Sequence, residues 1–196
     1  MSLTVVPVTG KDLRAVIPDL ARLRMTVFRD FPYLYAGSPE YEEGYLATYL
    51  NAPGALVVLV RDGERVIGAS TALPLLEETA EVRAPFLRSE FDPAAVLYLG
   101  ESVLLPEYRG QGLGHRFFDE REAHAARLGL PITAFCAVQR PEDHPARPPS
   151  HRSLHAFWRA RGYAERPDLE TVLSWQDVGE SQETPKVMRF WVRSGG

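Results

Sequence analysis

One stretch limits the folds open to this chain more than any other. Between Glu101 and Phe118 an apolar run, ESVLL, meets the turn PEYRGQGLG, which gives way to the helical pattern HRFFDEREAHAARL. Gly110, Gly112 and Gly114 alternate with Gln111 and Leu113, behind Arg109. Glycine at that density costs backbone entropy, so the chain needs a bare or left-handed main chain there. A strand that feeds a glycine turn opening a helix is a phosphate-binding arrangement. The helix start leaves N–H groups unpaired, and the aligned peptide dipoles add partial positive charge.

Two familiar phosphate motifs fail on spacing. No Lys-Ser or Lys-Thr follows the glycines, which excludes a P-loop. Counting G-x-G-x-x-G from Gly110 ends on His115, and counting from Gly112 ends on Phe117, which excludes the dinucleotide fingerprint.

The rest of the chain supplies a sheet around this unit. Leu3–Val8 reads as a strand, and Asp12–Arg29 carries apolar residues at helical spacing with Pro18 inside it. Pro39–Leu50 reads as a second helix, with proline in its first turn. Ala55–Val60 and Val66–Leu73 form a hairpin about an Asp-Gly turn. Residues 74–93 are an acidic, irregular connection, long enough for a binding loop, with one short helix near Pro85–Glu90. After the glycine turn, Leu113–Leu128 reads as a helix closed by Gly129, and ITAFCAV as a buried strand. Residues 139–150 are too proline-rich for regular structure. A short helix capped by Ser150 and stopped by Gly162 follows, then strands at Leu169–Trp175 and Val187–Val192. The order β-α-α-β-β, loop, β-α-β-α-β-β describes a mixed α/β sheet with hairpins and one parallel crossover, in a single domain over residues 1–196. The segments 74–93 and 139–150 read as insertions in it.

Composition narrows the function. With 196 residues, 45% hydrophobic and 24% charged, the chain is an ordinary globular domain. A net charge of −4 argues against nucleic acid as a partner and suits a cationic substrate. The single cysteine, Cys136, excludes an internal disulfide and a cysteine-cluster metal site. Its place in an apolar run is that of a buried thiol, not a nucleophile. No secretory leader and no membrane-length apolar segment is visible, so a cytoplasmic location is expected, with no membrane partner.

Arg109-Gly110-Gln111-Gly112-Leu113-Gly114 does satisfy [RQ]-x-x-G-x-[GA]. In its strand–turn–helix context this resembles the acetyl-CoA-binding motif of the GNAT acetyltransferase superfamily, and the element order matches that fold over nearly the whole chain. The resemblance implies a mostly antiparallel sheet with a central splayed parallel pair, flanked by helices. It implies acetyl-CoA as co-substrate, with Ser102, Val103 and Leu104 offering main chain to the pantetheine arm. Its pyrophosphate would rest on Arg109 and on the amides from Gly110 through Gln111, Gly112, Leu113 and Gly114 to His115. The family's later N-x(6)-Y…G-F pattern falls on His151, Trp158, Gly162 and Tyr163. Here His151 replaces the Asn, and Trp158 replaces the Tyr that often protonates the departing thiolate; indole cannot supply that proton. C-terminal strand exchange or pairing is common in the family, and KVMRFWV suits it, which leaves a homodimer open beside a monomer.

Acyl transfer to an amine needs a proton removed, a carbonyl polarised and a thiolate released. Glu101 is the one acid inside the strand before the motif, and a charge in a buried strand is expensive unless paired, which makes it the expected general base. Arg121 falls on the inner arc of the following helix and needs a carboxylate or carbonyl partner, for which Glu101 is a candidate. Tyr33 and Tyr35, within the aromatic group Phe31, Tyr33, Tyr35, Tyr41 and Tyr45, are expected to border the acceptor, together with Glu101. The expected reaction is direct transfer of acetyl to a small-molecule primary amine, without a metal. The competing readings are a non-catalytic acyl-CoA-binding module and an acetyltransferase acting on protein N-termini or lysines.

Overall fold

A computed structural model describes residues 3–195. One seven-stranded sheet runs in the order β1-β2-β3-β4-β5-β7-β6. Its strands are β1 (Leu3–Thr9), β2 (Leu56–Asp62), β3 (Arg65–Pro74), β4 (Val96–Leu104), β5 (Ile132–Val138), β6 (Ala164–Gln176) and β7 (Glu183–Ser194). All neighbours pair antiparallel except β4 and β5, which are parallel. The helices are α1 (Leu13–Val27), α2 (Pro39–Leu50), α3 (Ala80–Arg83), α4 (Leu113–Arg127) and α5 (His155–Ala160). The mixed, mostly antiparallel sheet expected from the sequence is the one that forms.

The core follows from patterning. Leu56–Val60 on β2 are fully buried, as a strand covered on both faces requires. Leu13, Val16, Leu20 and Leu23 turn one stripe of α1 inward, with Pro18 accommodated within the helix. α2 opens on Ser38, whose Oγ accepts from the Tyr41 amide at 3.2 Å, with Pro39 following at the first helical position.

Two irregularities in β4 shape the centre of the molecule. β4 and β5 pair only through Val96–Ile132, Leu97–Thr133 and Tyr98–Ala134, and beyond these the strands part. Across the other edge, Ser70 faces Ser102 but Ala72 faces Leu99, so Thr71 stands opposite both Gly100 and Glu101. A bulge of this kind re-aims the side chains it carries. It falls at the point where the parallel pair opens, and Glu101 is on it.

Three local expectations are corrected. The 74–93 connection holds α3 at Ala80–Arg83, and the expected helix near Pro85–Glu90 is only a 3-10 turn at Phe86–Arg88. β6 starts at Ala164, five residues before Leu169, because a register break between Arg166 and Glu170 hides its alternation. α5 starts at His155 behind Leu154, so Ser150 is not its cap; the Ser153 hydroxyl instead accepts from the His155 amide at 3.1 Å.

Candidate active site

The glycine turn forms a cradle at the start of α4. Gly110 and Gly112 both have φ of +77°, and Gly112 is the residue that caps the helix. A Cβ on either would meet no protein atom within 4 Å, so the left-handed backbone, not protein packing, requires glycine there. Among the described residues, the amides of Gly110 to Gly114 find no main-chain acceptor. Unpaired amides, open space and the positive end of a 15-residue helix together fit an anionic diphosphate. Arg109 is exposed beside the cradle, its Nε 3.3 Å from the carbonyl of Leu104. His115 is turned to α5, edge-on to Phe157 at 4.8 Å, with its Nδ1 3.3 Å from Arg161.

Ser102, Val103 and Leu104 lie on β4 beyond its last pairing with β5, so the strand edge facing β5 is free of a strand partner there. That gap fits an extended arm taking hydrogen bonds from main chain. The remaining cofactor candidates stand elsewhere. His151 lies in the proline-rich connection, against Phe31 at 4.8 Å. Trp158 packs on Phe135 and Trp191, at 4.9 and 5.1 Å, as part of an aromatic cluster.

A cavity of about 390 Å³ opens at the splay. Tyr33, Tyr35, Tyr41 and Tyr45 line one side, and Val172 to Trp175 with Met188 line another. Glu78, Thr79, Glu81 and Val82 contribute from the β3–β4 connection, while Tyr98, Gly100, Glu101 and Cys136 form the end at the splay. Glu101, Tyr33 and Tyr35 are therefore brought together. The Tyr33 carbonyl is held by Trp175 Nε1 at 3.0 Å and by Arg140 at 2.9 Å.

Glu101 is 4% exposed and its side chain is fully engaged. Arg24 Nη1 pairs with Oε1, and the Thr71 hydroxyl donates to Oε2. Tyr49 adds a longer hydrogen bond at 3.4 Å, and the Glu101 amide donates to Thr71 Oγ1 at 2.9 Å. Arg24 also reaches Glu42 Oε2 at 2.6 Å, and its guanidinium lies 4.2 Å from the Tyr45 ring centroid. Burial opposes the charge on Arg24, but the carboxylates of Glu101 and Glu42 outweigh it and hold the guanidinium protonated. Glu42, whose other oxygen accepts from Tyr35 at 2.8 Å, completes a buried triad of two carboxylates and one cation.

Arg121 is inward, as its helical position predicts, but it meets main chain. Its Nη1 donates to the carbonyls of Glu101 at 3.2 Å and Thr71 at 3.4 Å, and Nε to Phe117 at 3.1 Å. The carboxylate of Glu101 goes to Arg24, for which the sequence left a carboxylate or cofactor contact open beside a solvated face. Its signal was available: Arg24 follows Leu20 and Leu23 on the buried stripe of α1.

Glu78 was also missed. It is 5% exposed, with Oε2 accepting from the Thr79 amide at 2.7 Å. Burial, reinforced by the charge of Glu101, pushes its carboxyl up to about 7 against the pull of the Thr79 amide and Arg24. Nothing in LLEETA marks this acid as buried, since the turns around it have no periodicity. Burial likewise pushes the Cys136 thiol up to about 12, and its sulfur is 3.1 Å from the Tyr98 hydroxyl. A thiol in that state is not an activated nucleophile.

Comparison with known proteins shows the family and the fold. Residues 20–163 match the family described as Acetyltransferase (GNAT) family. No curated protein matches the chain in sequence. Among solved structures it resembles a ribosomal-protein-alanine N-acetyltransferase from Brucella melitensis, with a TM-score of 0.61 at 14% identity over 97% of this chain and 99% of that one. An acetyltransferase from Thermus thermophilus superposes with a TM-score of 0.56 at 19% identity, over 99% and 97% of the two chains. An N-acetyltransferase from Thermoplasma acidophilum in complex with coenzyme A gives 0.51 at 14% identity, over 99% of each.

Proposed function

Because the chain belongs to the GNAT acetyltransferase family, we propose that it is an N-acetyltransferase acting by direct attack on the primary amine of a small molecule. Acetyl-CoA is the co-substrate this family uses, and it supplies an activated acetyl thioester. The glycine cradle from Gly110 to Gly114 is suited to its diphosphate, and the open edge of β4 at Ser102–Leu104 to its arm.

The acceptor reading rests on one observation: the cavity at the splay is lined by tyrosines and carboxylates together. About 390 Å³ is the size of a small-ligand site. Aromatic faces accept a cation or an apolar body, and Glu101 is a fixed negative charge at the inner end. The triad of Arg24, Glu42 and Glu101 carries one more carboxylate than cation, which draws an ammonium group inward. Arg24, Thr71 and Tyr49 already occupy the Glu101 carboxylate, which favours an anchoring role for it over proton transfer. Direct attack is supported by the state of Cys136, the one thiol in the wall.

Incubation with acetyl-CoA and a panel of phenethylamine, tryptamine, spermidine and an alanine-initiated peptide tests the reading. Release of free thiol and acetylated product with the small amines, and not with the peptide, is expected. Tight acetyl-CoA binding without any acetylated product would make the chain an acyl-CoA-binding module instead.

A further inference from the structure

Two buried carboxylates line the acceptor cavity, and the protein holds them differently. Glu101 is matched by a guanidinium and two hydroxyls. Glu78 has one hydrogen bond, from the Thr79 amide, and among the described residues no cation within ion-pairing distance and no partner for Oε1. An ionised carboxylate buried without a cation is costly, so Glu78 either holds a proton or is balanced by a positive charge arriving from the cavity side. Glu81 also lines the cavity but is exposed, where water already solvates it.

We propose that Glu78 is the group that takes the proton from the acceptor's ammonium, with Glu101 as the fixed anion that draws that ammonium into the cavity. The proposal rests on the acyltransferase reading above. The balance is simple. Glu78 accepts one proton from R–NH3+, and the freed lone pair forms the N–C bond to the acetyl carbonyl carbon. As the C–S bond breaks, a second proton passes from nitrogen to the departing sulfur. Each turnover gives the amide, the free thiol and one proton, which leaves through Glu78. No acid from the protein is needed at the sulfur, which accommodates Trp158 at the position of the family tyrosine.

The groups facing Glu78 set when it can do this. Arg24 from α1 and Arg83 from α3 favour its ionised form, and Glu101 from β4 opposes it. Tyr45 and Tyr49 from α2, Tyr98 from β4 and Cys136 from β5 are pushed upward and stay neutral around it. With its carboxyl raised to about 7, Glu78 is poised to exchange a proton near neutral pH.

The test has a direct arm and a kinetic arm. In protein labelled with 13C at glutamate carboxyls, a resonance titrating near pH 7 and absent from Glu78→Gln is expected. Added phenethylammonium should shift that titration downward. In the kinetic arm, kcat/KM for the fastest amine of the panel should rise with pH through a group near 7. Glu78→Gln should lower kcat by roughly 100-fold or more, while acetyl-CoA binding and thermal unfolding show it folded. Glu78→Asp should recover part of the loss. A Glu78 carboxyl titrating near the ordinary glutamate range would overturn the proposal, as would a Glu78→Gln enzyme with wild-type kcat. Wild-type protein that binds acetyl-CoA and acetylates no amine would overturn the acyltransferase reading itself, and this proposal with it.

Discussion

Arg121 donates to the main-chain carbonyl of Glu101 at 3.2 Å, while the carboxylate of that same residue lies against Arg24. Two arginines from different helices thus fix one residue at both ends, on the bulge where β4 leaves β5. Among the described residues Arg121 has no carboxylate partner, and burial pulls its guanidinium down to about 10. Its work is to donate to the Thr71 and Glu101 carbonyls at the bulge. Arg24 instead balances charge, and the two roles predict different consequences.

Arg24→Met leaves Glu42 and Glu101 as neighbouring buried carboxylates with no cation. Breaking a buried pair in this way costs about 3–5 kcal/mol, and urea unfolding at pH 7 should show it. The triple variant Arg24→Met, Glu42→Gln, Glu101→Gln removes the charges together and should recover more than half of that loss. A single variant as stable as wild type would mean that the triad is not closed in solution.

Glu101→Gln separates anchoring from proton transfer. An anchor contributes mainly to binding, so KM for the amine should rise about tenfold, equivalent to about 1.4 kcal/mol. The fall in kcat should be much smaller than for Glu78→Gln. Steady-state kinetics on both variants with one amine decide it. A collapse of kcat at unchanged KM in Glu101→Gln would return the proton-transfer role to Glu101.

Much of this arrangement is legible in the sequence, and its limits have physical causes. The α4 cradle could be read because glycine spacing is dictated by local backbone geometry: Gly112 must take positive φ wherever the helix packs. Arg121 could be placed inward because helical period alone decides its direction. Its partner residue, Glu101, could be named as well, but not that the contact is to its carbonyl, because the bulge opposite Thr71 belongs to strand register, a tertiary property. Glu78 was invisible for the same reason, being buried by what packs over a run of short turns. The beginning of β6 was hidden by the register break between Arg166 and Glu170, which interrupts its alternation.

Glu78 also makes a stability prediction independent of catalysis. Its carboxyl is raised from 4.5 to about 7 in the folded protein, so the native state binds the proton more tightly than the unfolded chain. Stability therefore falls as pH rises from about 4.5 to 7, and the cost is complete above that window. Glu78→Gln should stabilise the protein at pH 8 by up to about 3 kcal/mol, with the gain vanishing towards pH 4.5. Unfolding midpoints of both proteins at pH 5 and pH 8 measure it. A difference independent of pH would place the titration elsewhere.

The glycines of the cradle predict a contrast between neighbours. Gly112→Ala forces a side chain into positive φ, at about 1–2 kcal/mol, but meets no protein atom. Its added methyl stands in the space assigned to the diphosphate, so the Kd for acetyl-CoA should rise more than the stability loss accounts for, by roughly tenfold or more. Gly114→Ala lies in the helix proper, where a Cβ makes ordinary contact with Phe157 at 3.6 Å. It should leave stability equal or gain up to about 1 kcal/mol from helix propensity. Calorimetric titration with acetyl-CoA beside thermal unfolding distinguishes the two. Equal affinity in wild type and Gly112→Ala would remove the diphosphate from this turn.

Cys136 tests whether the acetyl group passes through the protein. The thiol is buried, raised to about 12 and 3.1 Å from the Tyr98 hydroxyl, so at neutral pH it carries almost no thiolate. Direct attack does not use it. Cys136→Ala should keep kcat within about threefold of wild type, the residual change reflecting a small void beside Tyr98. Iodoacetamide should modify the native protein far more slowly than a free thiol at pH 8. Protein quenched during turnover should show no acetyl adduct by mass spectrometry. An adduct on Cys136, or loss of turnover in Cys136→Ala with the fold intact, would require a two-step transfer. Glu78 would then act on the second step, after the thiol of coenzyme A had already left.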